Sequence, residues 1–162
     1  MTTTLNQYLN AAVTIIVLTT LLISGPVASA QTADPVASVE VGRDADTLRD
    51  TLRPRPDRDI VDTALVFTNV RGRNTIMNCT AFGPQGGTVG RFRVRVPGNG
   101  LRFVLASDIS NGGDFVGSAR CLSIGDVAGS AFLLGPQLTD MRVRQQRAPQ
   151  GTWITFPVVA TY

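Results

Sequence analysis

Two short segments of the sequence place arginines at every second position, and these arginines are the residues best suited to chemistry with an anion. The side chains concerned are Arg91, Arg93, Arg95, Arg142 and Arg144. Residues two apart in a β-strand lie on one face at intervals of about 7 Å. If the strands that carry the two segments are neighbours, the arginines form one basic face. Because a guanidinium binds phosphate or carboxylate through paired hydrogen bonds, such a face is predicted to bind an anionic partner. The alternative is a solvated sheet face without a ligand.

The composition excludes most of the catalytic chemistry that a small protein uses. The 162 residues contain fifteen basic side chains, all of them Arg, and no His. Without Lys or His, the chain has no Ser-His-Asp or Cys-His machinery, no Schiff-base lysine and no His-ligated metal. Its two cysteines alone do not complete a four-coordinate zinc or iron–sulfur site. We therefore expect no cofactor.

Paired carboxylates remain as a catalytic tool, since two of them suffice to hydrolyse a glycoside. The acidic residues after residue 62 each lie next to a predicted turn: Asp108, Asp114, Asp126 and Asp140. Nothing in their spacing brings two of them together, and no Gly-x-Ser-x-Gly motif is present. We expect that the protein is not an enzyme, and an Asp-based hydrolase is the less favoured alternative.

One loop has the oxygen donors of a weak calcium site. Asp108, Ser110, Asn111 and Asp114 lie within seven residues that include two glycines. Carboxylate, hydroxyl and amide oxygens are the ligands that Ca²⁺ prefers. The alternative is an ordinary turn, because Asp, Ser and Asn side chains also bond to their own backbone.

The first thirty residues have the features of a signal peptide. They carry no charged side chain, and an apolar stretch over residues 11–23 ends before Gly25-Pro26. The stretch is short for a membrane span, and Ala28-Ser29-Ala30 provides the small residues of a cleavage site. We predict cleavage before Gln31 and export to the periplasm or the extracellular space. An uncleaved anchor is the alternative, and it is the only membrane attachment that we expect.

Export has a consequence for the two cysteines, Cys79 and Cys121. In an oxidising compartment a lone pair of cysteines usually forms a disulfide. The bridge would close a loop of about 40 residues and stabilise the domain by roughly 3 to 4 kcal/mol on the chain-entropy estimate. Two free thiols are the alternative.

Charge divides the exported chain near residue 62. Residues 34–62 contain eight acidic side chains and five Arg, whereas residues 63–162 contain four acidic side chains and ten Arg. The first segment has few apolar residues, and Pro54 and Pro56 oppose regular pairing. We interpret residues 31–62 as an acidic flexible linker and residues 63–162 as the folded domain. A short helix at 46–52, an edge strand at 36–41, or folding of the segment back onto the basic domain are the alternatives.

The folded region consists of apolar runs separated by turn residues at intervals of about 8 to 12, which is typical of an all-β sandwich. We predict an antiparallel sandwich of seven to eight strands. The predicted strands are Ala64–Asn69, Thr75–Phe82, Thr88–Val96, Leu101–Ala106, Phe115–Leu122, Val127–Leu134, Met141–Gln145 and Thr152–Thr161. Pro157 should mark an edge or a bulge, since proline lacks an N–H.

Four segments carry a resemblance to a known type of module: Phe67-Thr68-Asn69, the strand and turn from Thr75 to Gly87, the segment from Val94 to Gly100, and Phe115-Val116-Gly117-Ser118-Ala119. Their order resembles immunoglobulin-like β-sandwich modules of exported bacterial proteins, over roughly residues 63–135. The resemblance implies an immunoglobulin-like sandwich and a surface setting, and it carries no catalytic residues with it.

These observations favour a non-catalytic binding or structural module of the cell envelope or the extracellular space. Its partner is expected to be an anionic envelope component or another protein. Nucleic acid is not expected, because few aromatic residues accompany the arginines. The alternative function is that of an assembly subunit, which associates through exposed strand edges.

Overall fold

The computed structural model describes residues 39–56 and 59–161. The signal peptide expected at residues 1–30 and the first part of the expected linker, residues 31–38, lie outside the described residues. No helix in the described part of the chain is long and apolar enough to cross a membrane.

The described residues form eleven strands and two short helices. The strands are β1 (Val39–Glu40), β2 (Arg43–Asp44), β3 (Asp62–Asn69), β4 (Thr75–Phe82), β5 (Thr88–Val96), β6 (Leu101–Leu105), β7 (Phe115–Ser123), β8 (Val127–Leu134), β9 (Thr139–Met141), β10 (Arg144–Ala148) and β11 (Gly151–Ala160). The helices are α1 (Ala45–Thr51) and α2 (Ala106–Ser110).

The strands pair into two sheets, as the prediction of an all-β sandwich requires. Sheet A has the order β1-β5-β4-β7-β11-β10, and sheet B has the order β2-β6-β3-β8-β9. Every neighbouring pair is antiparallel except β1 and β5. The coarse fold prediction is therefore confirmed, with more strands than the sequence indicated.

The core lies between the inner faces of the two sheets. Every second residue of β11 is buried, because successive side chains of a strand point to opposite faces. Phe156 of sheet A meets Phe67 of sheet B edge to face, with ring centroids 5.2 Å apart. Gly129 faces this pair, and a methyl group there would lie 2.8 Å from the Phe156 ring. The glycine therefore allows the sheets to approach each other at this point.

The predicted disulfide between Cys79 and Cys121 is confirmed. The two residues are directly opposite each other in the register of β4 and β7, with Cα atoms 4.0 Å apart. Both are buried. The bridge thus joins two neighbouring strands of sheet A, and it contributes to the core from within one sheet.

The strand predictions are confirmed at both ends for β4, β5 and β8. The single strand predicted at 141–145 is wrong, because β9 pairs with β8 in sheet B and β10 pairs with β11 in sheet A. The chain changes sheet between Met141 and Arg144. In the register of β10 and β11, residue 142 would lie opposite Pro157, which has no N–H for a ladder. At Pro157, β11 is therefore paired with β7 but not with β10, although β11 is an inner strand of sheet A.

Residues 39–51 lie in the segment interpreted as a linker, yet they form β1, β2 and α1. β1 pairs with β5 of sheet A, and β2 pairs with β6 of sheet B. Charge complementarity supports both contacts: Asp44 lies 2.8 Å from Arg102, and Glu40 lies 3.3 Å from Arg95. For these residues the structure takes all three alternatives: an edge strand lies within 36–41, a short helix covers most of 46–52, and the acidic segment folds back onto the basic domain.

Candidate anion-binding site

β5 directs three arginines away from the core. Arg91, Arg93 and Arg95 are exposed, while the residues that alternate with them are buried between the sheets. The alternation follows from the strand geometry, so the three guanidinium groups project from the outer face of sheet A at intervals of about 7 Å.

Arg142 and Arg144 do not lie beside these three arginines. Three strands separate β5 from β10 in sheet A, a distance of about 19 Å at the usual strand spacing. The sequence pattern suggested a basic face if the two segments were neighbours, and they are not. Arg144 is nevertheless on the same outer face, since the pairing registers lead from Arg144 through Thr155 to Arg120.

Arg120 of β7 connects the two groups of arginines. The registers continue from Arg120 through Thr80 to Arg91, which places Arg91, Arg120 and Arg144 in one row across sheet A. We call the outer surface of sheet A that carries Arg91, Arg93, Arg95, Arg120 and Arg144 the arginine face. Arg120 is not among the residues predicted for the site, although its position between two core-facing residues of a predicted strand indicated an outward side chain.

An aromatic side chain belongs to this surface. The Arg120 Cζ atom lies 4.3 Å from the centroid of the Trp153 ring, a cation–π contact that holds the guanidinium in place. Arg120 and Trp153 line a groove of about 750 Å³ together with Arg142 and Arg144. Arg142, on the connection between β9 and β10, thus joins the edge of the arginine face.

Most of the positive charge of the arginine face is not neutralised within the described residues. Arg93 donates a hydrogen bond to Asn78 Oδ1 at 3.1 Å, and this partner is neutral. Arg95 pairs with Glu40 at 3.3 Å, but both side chains are more than half exposed, so solvent weakens the pair. No carboxylate of the described residues forms an ion pair with Arg91 or Arg144. An anion therefore has guanidinium groups to bind.

A second groove, of about 1190 Å³, lies at one end of the arginine face. Arg93 and Arg95 line its side towards sheet A, and Arg71 and Arg73 line it from the connection between β3 and β4. Arg71 Nε donates to Asp126 Oδ2 at 2.6 Å. The hydrogen bond and the charge of Arg71 lower the pKa of Asp126 below its ordinary value, and the charge of Arg147 contributes in the same direction.

The residues of the expected calcium loop are arranged as a helix and its end. Asp108 and Ser110 belong to α2, and Asn111 ends this helix in the left-handed conformation, with φ of 54°. The Asp108 carboxylate accepts two hydrogen bonds from Arg43, at 2.8 and 3.1 Å. Asp114 is exposed beyond the helix. Within the described residues no three acidic or cysteine side chains are grouped as metal ligands.

One buried carboxylate lies in the segment that the sequence predicts to be a linker. Asp62 begins β3, and its Oδ1 accepts hydrogen bonds from the backbone N–H groups of Thr63 at 2.7 Å and Ser107 at 3.2 Å. Burial raises the pKa of Asp62, and the nearby Asp108 charge adds to the increase. Asp108 thus lies near enough for its charge to act on Asp62, which is not one of the four acidic residues that follow residue 62. The hydrogen bonds of Asp62 and Asp108 hold α2 and Arg43, and neither carboxylate lines the two grooves.

Comparison of the chain with known protein families, with curated proteins and with solved structures gives no match. The fold and its surface define the class of protein: a two-sheet β-sandwich with a disulfide in one sheet and arginines across the outside of that sheet. The geometry of this surface is accordingly the basis for a functional assignment.

Proposed function

We propose that the protein is an exported, non-catalytic binding module that engages an anionic partner in the cell envelope or the extracellular space. The contact surface in this proposal is the arginine face. The observation that carries it is the row of Arg91, Arg120 and Arg144 across sheet A. None of the three forms an ion pair with a carboxylate of the described residues.

The spacing of the arginines favours a partner with repeated charges. Neighbouring arginines of the row are two strands apart, which corresponds to about 10 Å, and those along β5 are about 7 Å apart. A single small anion contacts one or two such groups, whereas an extended polyanion contacts several at once. Because the arginines stand on a paired sheet, less of their freedom is lost on binding than on a flexible segment.

The exported location is part of the proposal. A disulfide between Cys79 and Cys121 supports an oxidising compartment, and the charge-free, apolar leader supports a signal peptide over residues 1–30.

An immunoglobulin-like type of sandwich is proposed on the role of Asn69. Its Nδ2 donates to the backbone carbonyls of Arg73 at 2.8 Å and Pro97 at 3.1 Å, and its Oδ1 accepts from the Arg71 N–H at 2.9 Å. Asn69 is buried. The Thr-Asn motif and the Val-Pro turn therefore have a shared structural purpose, which supports the resemblance that was based on them.

Assembly through strand edges has less support. The edge strands of the two sheets are β1, β2, β9 and β10, and the longest of them has five residues. That strand, β10, carries Arg144 and Arg147. Short and charged edges oppose the addition of a further strand. The arginine face is thus the better candidate for a contact.

The proposal is tested by the affinity of the purified protein for dextran sulfate, a soluble polyanion, at low and high salt. We expect binding that weakens as salt rises. The triple variant R91Q/R93Q/R95Q should bind about tenfold more weakly, a loss of about 1.4 kcal/mol.

The matched control is R49Q/R53Q/R55Q, which removes the same charge from three exposed arginines of the segment before β3. It should bind almost as well as the original protein. Equal losses in the two triple variants would mean that net charge alone is responsible, and the proposal would be rejected.

A further inference from the structure

One end of the sandwich displays apolar side chains at the tips of its loops. The connections at residues 70–74, 97–100 and 124–126 meet there, and we call this region the loop end. Ile124 is 87% exposed and Val70 is 62% exposed. Exposed apolar side chains that cluster at one end of a domain mark a surface for interaction with a protein or a membrane.

The loops of this region are bonded to one another. The Val70 N–H donates to the Asp126 carbonyl at 3.3 Å, and the Asn99 N–H donates to the Arg71 carbonyl at 2.7 Å. A side chain at Gly98 would overlap the backbone of Gly72. Two loops thus approach each other as closely as glycine allows. The apolar tips are therefore held outward by a fixed framework.

Positive charge surrounds the apolar tips. The groove of about 1190 Å³ is lined by Arg71, Arg73, Arg93 and Arg95 together with Ile124. Asp126 offsets part of this charge, but it is shared between Arg71 and Arg147. The groove also contains Ile76, which is 45% exposed on the outer face of sheet A. Apolar and cationic groups therefore form one continuous surface.

We propose that the loop end docks onto an anionic phospholipid bilayer, with Ile124 and Val70 entering between the headgroups. This inference rests on the proposed function, because Arg93 and Arg95 belong to both surfaces. A soluble polyanion satisfies the guanidinium groups but leaves the apolar tips in water. An anionic bilayer satisfies both, since phosphates lie at its surface and hydrocarbon lies directly below.

The test is co-sedimentation of the full protein with vesicles of phosphatidylglycerol and phosphatidylcholine in equal parts, and with vesicles of phosphatidylcholine alone. We expect binding to the anionic vesicles only. The variant V70S/I124S should bind them about tenfold more weakly, because two insertable side chains are lost.

The matched control is V89S/V116S. It removes two exposed valines on strands of sheet A, outside the loops that form the loop end, and it should bind like the original protein. If V70S/I124S also binds like the original protein, insertion of the tips is ruled out. A second variant, I124W, reports insertion directly, because its added fluorescence should shift to the blue on anionic vesicles. If I124W binds the anionic vesicles without a blue shift of its fluorescence, the inference is also overturned.

The same samples separate the two proposals. Binding to dextran sulfate without binding to anionic vesicles would reject the bilayer and leave the anionic partner in place. Absence of binding to both would reject the bilayer together with the proposed function. Loss of vesicle binding in R91Q/R93Q/R95Q, with the control R49Q/R53Q/R55Q unchanged, would support the contribution of Arg93 and Arg95 to both surfaces.

Discussion

The outer face of sheet A is exposed and carries arginines, whereas the outer face of sheet B is apolar and buried at its centre. In sheet B, Val66 of β3 lies opposite Phe103 of β6, and both alternate with residues that face the core. Phe103 has no exposed surface, and Val66 is 4% exposed. Helix α1 packs against β2 and β6, and its Leu48 is half-buried. Within the described residues, the outer face of sheet A is therefore the more exposed of the two.

The difference between the two outer faces follows from two patterns of side chains along the strands. Alternation in β5 separates buried apolar residues from exposed arginines, while in β3 both registers are apolar and almost every residue is buried. A strand with two apolar registers needs cover on both sides. Sheet B therefore contributes mainly to stability, whereas sheet A carries the exposed arginines on which the proposed function rests.

The largest expected effect is a stability difference between aromatic residues of the two faces. Phe103→Ala should lower the free energy of unfolding by about 3 to 5 kcal/mol, because a fully buried ring leaves a cavity. Trp153→Ala, on the arginine face, should lower the free energy of unfolding by only about 1 kcal/mol. The Trp153 ring is half-exposed, and its removal mainly abolishes the contact with Arg120. Urea unfolding of both variants measures the difference. Similar losses would mean that the outer face of sheet B is not a second apolar layer.

An intermediate effect is expected from pH, through Asp62 on the outer register of sheet B. Its pKa is raised in the folded protein, so the folded state binds a proton more tightly than the unfolded state. Asp62 therefore favours folding most below its unfolded pKa, and this contribution is lost as pH rises through the folded-state pKa. The free energy of unfolding of the original protein should accordingly fall relative to that of Asp62→Asn as pH rises from about 4. A difference that is constant with pH would contradict burial of an ionisable group here.

The smallest expected effect is on the arginine face itself. Arg120→Gln should reduce the free energy of unfolding by no more than about 0.5 to 1 kcal/mol, the usual size of an exposed cation–π contact. The same variant should weaken binding to dextran sulfate, because it removes the centre of the row between Arg91 and Arg144. Arg49→Gln is the control with the same charge change. If Arg120→Gln folds normally and binds dextran sulfate with unchanged affinity, the row does not act as one surface.

Local patterns predicted the parts of the fold that depend on neighbours in sequence. β4, β5 and β8 begin and end where alternation and turn residues place them, because strand period and turn geometry are properties of short segments. The pairing of Cys79 with Cys121 followed from there being two cysteines and from their registers. Of the candidate site, the outward direction of Arg91, Arg93 and Arg95 was predictable for the same reason.

Features that depend on pairing between distant segments were not predictable. Residues 39–51 have few apolar side chains, so a linker was predicted and a short helix and an edge strand were only alternatives. Their pairing with β5 and β6 depends on which strands have open edges. The split between β9 and β10 depends on residue 142 reaching the position opposite Pro157. Asp62 falls in the predicted linker, and its burial could not be predicted because it depends on contact with α2, a later element of the chain.

The sequence by itself determined an all-β domain, its disulfide, its lack of His and Lys, and a strand with arginines on one face, since composition and a period of two are local properties. Only the tertiary structure decided that Arg120 joins Arg91 and Arg144 in one row, and that Ile124 and Val70 stand beside the arginines at one end. The physical reason is that strand order and register are set by burial of the whole core, to which each segment contributes only a part.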